Sequence, residues 1–202
     1  GEYGADVAVG DGQTVGNPAN FGGPAFGFMV VKDNLVRQFP GRVVGQTTDV
    51  DGRRAFVLTL QAREQHIRRS KAKSNICSNH QLTALMAAIN LAALGPQGLR
   101  ELAVGSVQRA RQLAAALQDA GYEPLTNARY FNEFVLPVSM EPAKLRSELA
   151  RHGVQAGVPA GDEYGLGHAI VLSTTESTTD AHIAKLVKAL GAVLDSAEAA
   201  HV

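Results

Sequence analysis

The chain has 202 residues, 45% of them hydrophobic and 19% charged, with 19 basic residues matched by 19 acidic ones. That length carries one sizeable domain or two small ones, and that composition packs a core, which excludes a disordered chain. Zero net charge argues against nucleic acid or an anionic membrane as the main partner, and the single cysteine, Cys77, excludes an internal disulfide.

The opening GEYGADVAVGDG has neither the charged start nor the apolar middle of a signal peptide. No apolar run reaches bilayer length, so cytosol or an organelle matrix is the expected setting. Residues 5–9 (ADVAV) read as a buried strand, and with no initiating Met before it the sequence suggests an element upstream. A glycine-rich loop follows through Gly10, Gly12, Gly16, Gly22 and Gly23. Val15 stands where a dinucleotide fingerprint needs its third glycine, so tight turns account for these glycines better than a Rossmann site. Residues 26–31 (FGFMVV) read as a second strand buried on both faces. Residues 41–60 read as a hairpin with Asp51-Gly52 as a type I′ turn.

Beyond residues 63–77, Ser78-Asn79-His80-Gln81 has capping-box spacing. Leu82, Leu85, Met86, Ile89 and Ala93 follow on one helical face. Gly95-Pro96 ends that helix and begins another, whose stripe is Leu99, Leu102, Ala110, Leu113 and Leu117, ended by Gly121. A strand is expected over 131–138, a short helix over 142–152 with Leu145 and Leu149 inward, a strand over 168–173, and an amphipathic helix over 179–198. The fold class is therefore α/β, with a boundary expected between residues 1–94 and 95–202.

The segment REQHIRRSKAKSNIC (63–77) holds Arg63, Arg68, Arg69, Lys71 and Lys73 against one acid, Glu64. A solvated charged helix face is the ordinary reason for such a run. Here it carries one acid, includes the apolar Ile67, so that one side is expected to face protein, and closes on Ser74-Asn75 just before a helix start. Small polar residues and backbone amides at a helix entry suit a phosphate or carboxylate. His66, His80 and Cys77 match no metal-ligand spacing, so no metal is expected. RNA binding is disfavoured because no aromatics interleave with the arginines.

At these residues LTLQAREQHIRRSKAKSNICSN resembles glycine dehydrogenase (decarboxylating), the P-protein of the glycine cleavage system. GADVAVGDGQTVGNPANFGGPAFGF, PGRVVGQTTDVDGRRAFVLTLQ and LAALGPQGLREL resemble the same family, most of all its subunit 1. The resemblance implies the C-terminal part of a pyridoxal-phosphate fold type I subunit. Residues 1–94 would be the end of the large-domain sheet, the basic active-site segment and the linking helix, and 95–202 the small α/β domain. It also implies the bacterial cytoplasm or, in a eukaryote, the mitochondrial matrix.

Where the catalytic subunit of that family carries its Schiff-base lysine, GADVAVGDGQT places Thr14. The resemblance thus implies no catalytic residue here and a cofactor, pyridoxal phosphate, held covalently by the partner, subunit 2. Lys73, Ser74 and Asn75, with Arg63 and Arg68, would reach the cofactor phosphate across an interface. His66, Arg69, Lys71 and Thr14 are further candidates for the site or the interface. Relatives carry Thr at Lys73 and an acid at Ser70; an ammonium still serves phosphate as a point charge. Glycine would be the substrate and the lipoyl arm of H-protein the acceptor. A bidentate arginine on the substrate carboxylate would stabilise the ground state above the transition state. The arginines therefore suit phosphate, loop structure or the interface, with Glu64 an evident partner. His66 is either a proton-transfer group or, the favoured reading, a satisfied core residue. The alternative function is a scaffold module whose basic segment docks an acidic partner. Exposed sheet edges further imply self-association.

Overall fold

The computed structural model describes residues 2–19, 21–75, 80–125, 128–160 and 164–199, the side chains of 196–199 excepted. Two compact units divide the chain, Gly1–Leu94 and Gly95–Val202.

The N-terminal unit contains two separate two-stranded antiparallel ladders. Strands β1 (Val7–Asp11) and β2 (Gly27–Val31) pair with Val9 opposite Met29. Strands β3 (Val43–Thr48) and β4 (Arg54–Thr59) pair with Gly45 opposite Val57. The expectation of strands buried on both faces is not met. All five residues of β1 are exposed, and Val30 and Phe56 are more than half exposed. Hydrophobic patterning marks a strand that seeks cover, and the described chain supplies none over either ladder. The β3–β4 turn also differs from expectation. Only Gly52 has positive φ, at 76°, whereas a type I′ turn needs it at both centres. The Asp49 carboxylate instead accepts from the Asp51 and Arg53 backbone N–H groups, both at 2.9 Å, and so favours a longer loop.

Helix α1 (Gln65–Arg68) is a single turn, and α2 (Gln81–Asp119) belongs to both units. Gly95, at φ 65° and ψ 177°, is non-helical and divides α2, and Pro96 opens its second part where a missing N–H costs least. By length and composition α2 would suffice to cross a bilayer, which the sequence reading did not anticipate. The expected inward stripe of its first part is outward: Leu82 is 71% and Ile89 62% exposed. Its second part behaves as expected from Ala110 onward. It ends where the N–H groups of Gly121 and Tyr122 donate to the carbonyls of Gln118 and Leu117, with Gly121 at φ +86°.

The C-terminal unit is a three-stranded antiparallel sheet in the order β5-β7-β6, formed by β5 (Glu133–Pro137), β6 (Val158–Ala160) and β7 (Ala169–Ser173). Phe134, Leu136, Ile170 and Leu172, alternate residues of β5 and β7, pack against three helices. The helices contribute Leu113 and Leu117 from α2, Leu145 and Leu149 from α3 (Pro142–Arg151), and Ile183 and Leu190 from α4 (Asp180–Ala199). Leu117, Leu145, Leu149 and Leu190 are fully buried, each stabilising the unit by about 1.5–3 kcal/mol. Strand β6 was not expected, because a three-residue run containing Pro159 reads against a strand. Register resolves the conflict: Val158 and Ala160 pair with Val171 and Ala169, while Pro159 stands where no ladder bond to β7 is needed. Glu141 caps α3, its carboxylate accepting from the N–H groups of Ala143 at 2.9 Å and Lys144 at 2.8 Å.

Candidate functional site

The basic segment begins at Leu60, held in the left-handed region (φ 53°, ψ 26°), and winds through short turns at Gln61–Arg63, Gln65–Arg68 and Arg69–Lys71. The Lys73 N–H donates to the Arg63 carbonyl at 3.2 Å and closes the segment on itself. Arg69 lies at φ 54°, ψ −125°, a region that costs an L-residue about 1–3 kcal/mol and persists only where the surroundings impose it.

Its cations divide into two groups. The Arg63 guanidinium is largely buried, at 11% exposure, and donates to the carbonyls of Arg37 at 3.4 Å and Gly41 at 3.2 Å. Its Nε lies 3.4 Å from the Glu64 carboxylate, itself 12% exposed. Arg63 and Glu64 thus form the expected internal pair and tie the segment to the loop ahead of β3. Arg68, Arg69, Lys71 and Lys73 are exposed. Arg68 Nε donates to the Ala62 carbonyl at 3.3 Å. Among the described residues no carboxylate pairs with any of these four. Asn75 is exposed and Ser74 half-buried. Two expectations fail here: Ile67 is 55% exposed rather than turned to protein, and His66 is exposed, so it is no satisfied core histidine. Both sit on a single-turn helix whose four residues are all exposed. The expected capping box at 78–81 falls largely on residues 76–79, which with Cys77 lie outside the described residues.

Thr14 is exposed in the turn after β1. Neighbours pin that turn to the first part of α2. The Asn17 side-chain amide donates to the carbonyls of Val15 and Thr83, both at 3.3 Å. Gly16 packs so closely on Asn90 that a Cβ would lie 2.6 Å from its side chain. Asn17 Oδ1 is buried with no hydrogen-bond partner among the described residues, an acceptor left for an incoming donor. Nearby, the sequence reading missed a cavity of about 450 Å³ lined by Asp11, Phe26 and His80. The His80 Nδ1 meets the Ala25 carbonyl, and Gly12 faces the Phe26 ring, which leaves no room for a Cβ. The glycine at position 12 was the available signal: it marks close approach, not a phosphate loop.

Comparison with known proteins gives this geometry a context. The glycine cleavage system P-protein family model matches residues 1–190. A probable glycine dehydrogenase (decarboxylating) subunit 1 from Moorella thermoacetica is 51% identical over 199 residues, 96% of this chain and 44% of its own length. Its counterpart from Carboxydothermus hydrogenoformans is 49% identical over 191 residues, 94% of this chain and 43% of its own. A crystal structure of glycine decarboxylase (P-protein) in inhibitor-bound form superposes with TM-score 0.89 at 52% identity, covering 95% of this chain and 44% of that one. A C-DES mutant with glycine covalently linked to its PLP cofactor shares 16% identity at TM-score 0.54, a likeness of fold alone, covering 84% of this chain and 43% of that one. The fold is that of the pyridoxal-phosphate fold type I enzymes, and the chain spans less than half the length of the relatives it matches. With the family model matched along almost its whole length, and with relatives at about half identity, the chain belongs to the glycine cleavage system P-protein family.

Proposed function

We propose that this chain serves glycine decarboxylation as the part of subunit 1 that completes a pyridoxal-phosphate site anchored on a partner subunit. The observation that carries the reading is the division of cations in the basic segment. One arginine is held inside by Glu64 and two carbonyls, while four cations stand exposed without carboxylate partners among the described residues. That donor set fits a phosphate: charge is present, no carboxylate among the described residues pairs with it, and Arg63 holds the loop that presents it. When bound, the cofactor supplies the electron sink that loss of carbon dioxide from an amino acid requires. Lys73, Ser74, Asn75 and Arg68 would bind the phosphate and orient the ring. Arg69 and Lys71 would serve the interface, and exposed His66 lies free to face it. Thr14 has no amine, so covalent attachment falls to the partner's lysine. Glycine is the substrate of this reading and the lipoyl arm of H-protein the acceptor of its aminomethyl group.

The test is retention of pyridoxal phosphate by the assembled subunits on dilution, followed by cofactor absorbance and by glycine-dependent carbon dioxide exchange. Changing Lys73, Ser74 and Asn75 together to alanine should release cofactor and abolish exchange with assembly intact. Full retention in that variant would refute the phosphate assignment. Salt-sensitive binding of an acidic partner, lost in the same variant with cofactor retained, would favour the docking role instead.

A further inference from the structure

A second cavity lies in the C-terminal unit, lined by none of the residues of the basic segment. A cavity of about 740 Å³ opens between α3 and the β6 side of the sheet, within the size range of small-molecule pockets. Its floor is apolar: Leu113, Leu172 and Leu186 line it, each less than a tenth exposed. Its rim is polar. Arg146 and Ser147 stand on the exposed face of α3, and Arg146 has no carboxylate partner among the described residues.

The sheet supplies a third feature. The Thr174 N–H donates to the Asn132 carbonyl and the Val138 N–H to the His168 carbonyl, so even-numbered residues of β7 turn their backbone groups to β5. Odd-numbered residues turn theirs to β6. Ala169 and Val171 are met there by Ala160 and Val158, but β6 begins at Val158, so Ser173 has no ladder partner on that side among the described residues. Gly157, at φ +78°, stands just ahead of β6 and packs against Ile170. The Ser173 N–H and C=O are therefore an open donor–acceptor pair on the cavity edge, and Ser173 is among the lining residues.

We infer that this cavity binds a free aliphatic α-amino acid. A guanidinium without a partner takes the carboxylate. The Ser173 carbonyl accepts from the ammonium, its N–H donates to the second carboxylate oxygen, and the leucine floor takes the side chain. Either charged group alone would suit many ligands. An acid-binding cation, an open backbone pair and an apolar floor in one cavity select a ligand that carries all three complements.

The probe is L-leucine, titrated into the full 202-residue chain by calorimetry beside 4-methylpentanoate, which lacks the ammonium, and 3-methylbutylamine, which lacks the carboxylate. Leucine should bind saturably, with each analogue about tenfold weaker or worse, since each loses a charged hydrogen bond. Arg146→Met keeps helix propensity at an exposed position and should weaken leucine about tenfold or more. Lys144→Met, on the same helix outside the cavity, should leave binding unchanged. Backbone amide shifts at Ser147 and Ser173 on leucine addition locate the site without any variant. No saturable binding by about 10 mM leucine, equal binding by the three probes, equal binding by Arg146→Met, or shifts centred elsewhere would each overturn the inference.

Discussion

Replacing Gly157 with alanine isolates a packing constraint that the backbone alone does not reveal. At φ +78° an L-residue is strained by about 1–2 kcal/mol. The new Cβ would also lie 2.8 Å from Ile170 Cδ1 and 3.0 Å from its Cβ, inside van der Waals contact. Ile170 is fully buried and cannot swing away, so overpacking adds about 1–3 kcal/mol. The sum is about 2–5 kcal/mol, a large share of the roughly 5–15 kcal/mol that holds a typical domain. Gly121 is the control. It has φ +86° with nothing within 4 Å of its Cβ position, so alanine there meets the strain alone. Urea denaturation followed by helical circular dichroism gives both values from midpoints and slopes. Adding Ile170→Val to Gly157→Ala removes the nearest methyl and should show favourable coupling of about 1 kcal/mol. Equal losses for Gly157→Ala and Gly121→Ala, or strict additivity in the double variant, would refute the contact as the cause.

Arg63→Met leaves the largely buried Glu64 without its cation and frees the Arg37 and Gly41 carbonyls. It should destabilise the segment by about 3 kcal/mol, against about 0.5 kcal/mol or less for exposed Arg68→Met. Hydrogen exchange of residues 60–73 separates the two, and equal exchange would contradict the clamp. The Ala143 and Lys144 N–H groups, in that order, hold the Glu141 carboxyl below its usual pKa. A depressed folded pKa adds stability above the unfolded pKa, and that stability fades as pH falls through the folded one. The start of α3 should therefore loosen on acidification below the ordinary carboxylate range, seen as faster exchange at Ala143 and Lys144. Glu141→Ala should abolish that pH dependence, and a pH profile unchanged by the substitution counts against the cap. Leu85→Gln with Ile89→Gln, on the exposed stripe of α2, should reduce self-association in sedimentation velocity. An unaltered distribution would remove that stripe from the contact.

The C-terminal unit was legible because its signals close locally. The spacing of Leu145 and Leu149 specifies an inward helix face, and the sheet that covers it lies within the same stretch of chain. The first part of α2 has an equally clear stripe, yet periodicity states only that a face is apolar, not what meets it. Strand β6 escaped because three residues carry little pattern and Pro159 argues against a strand until register shows its nitrogen is not needed. In the basic segment, charge density was visible, but not the division of labour. Arg63 is occupied by carbonyls of residues 37 and 41, a long-range meeting no local pattern encodes. His66 and Ile67 looked like inward positions only because their residue types often are.

The rims of the sheets differ between the two units. In the C-terminal unit Pro159 puts a missing hydrogen along one outer margin, and Leu125 bridges Val135 along the other. A foreign strand arriving there meets a gap on one side and an occupied rung on the other. The N-terminal ladders have two strands each, and among the described residues every strand lacks a ladder partner on one margin. If heat or crowding drives these chains to polymerise, growth should start from β1 to β4, and seeds trimmed to residues 95–202 should not elongate it.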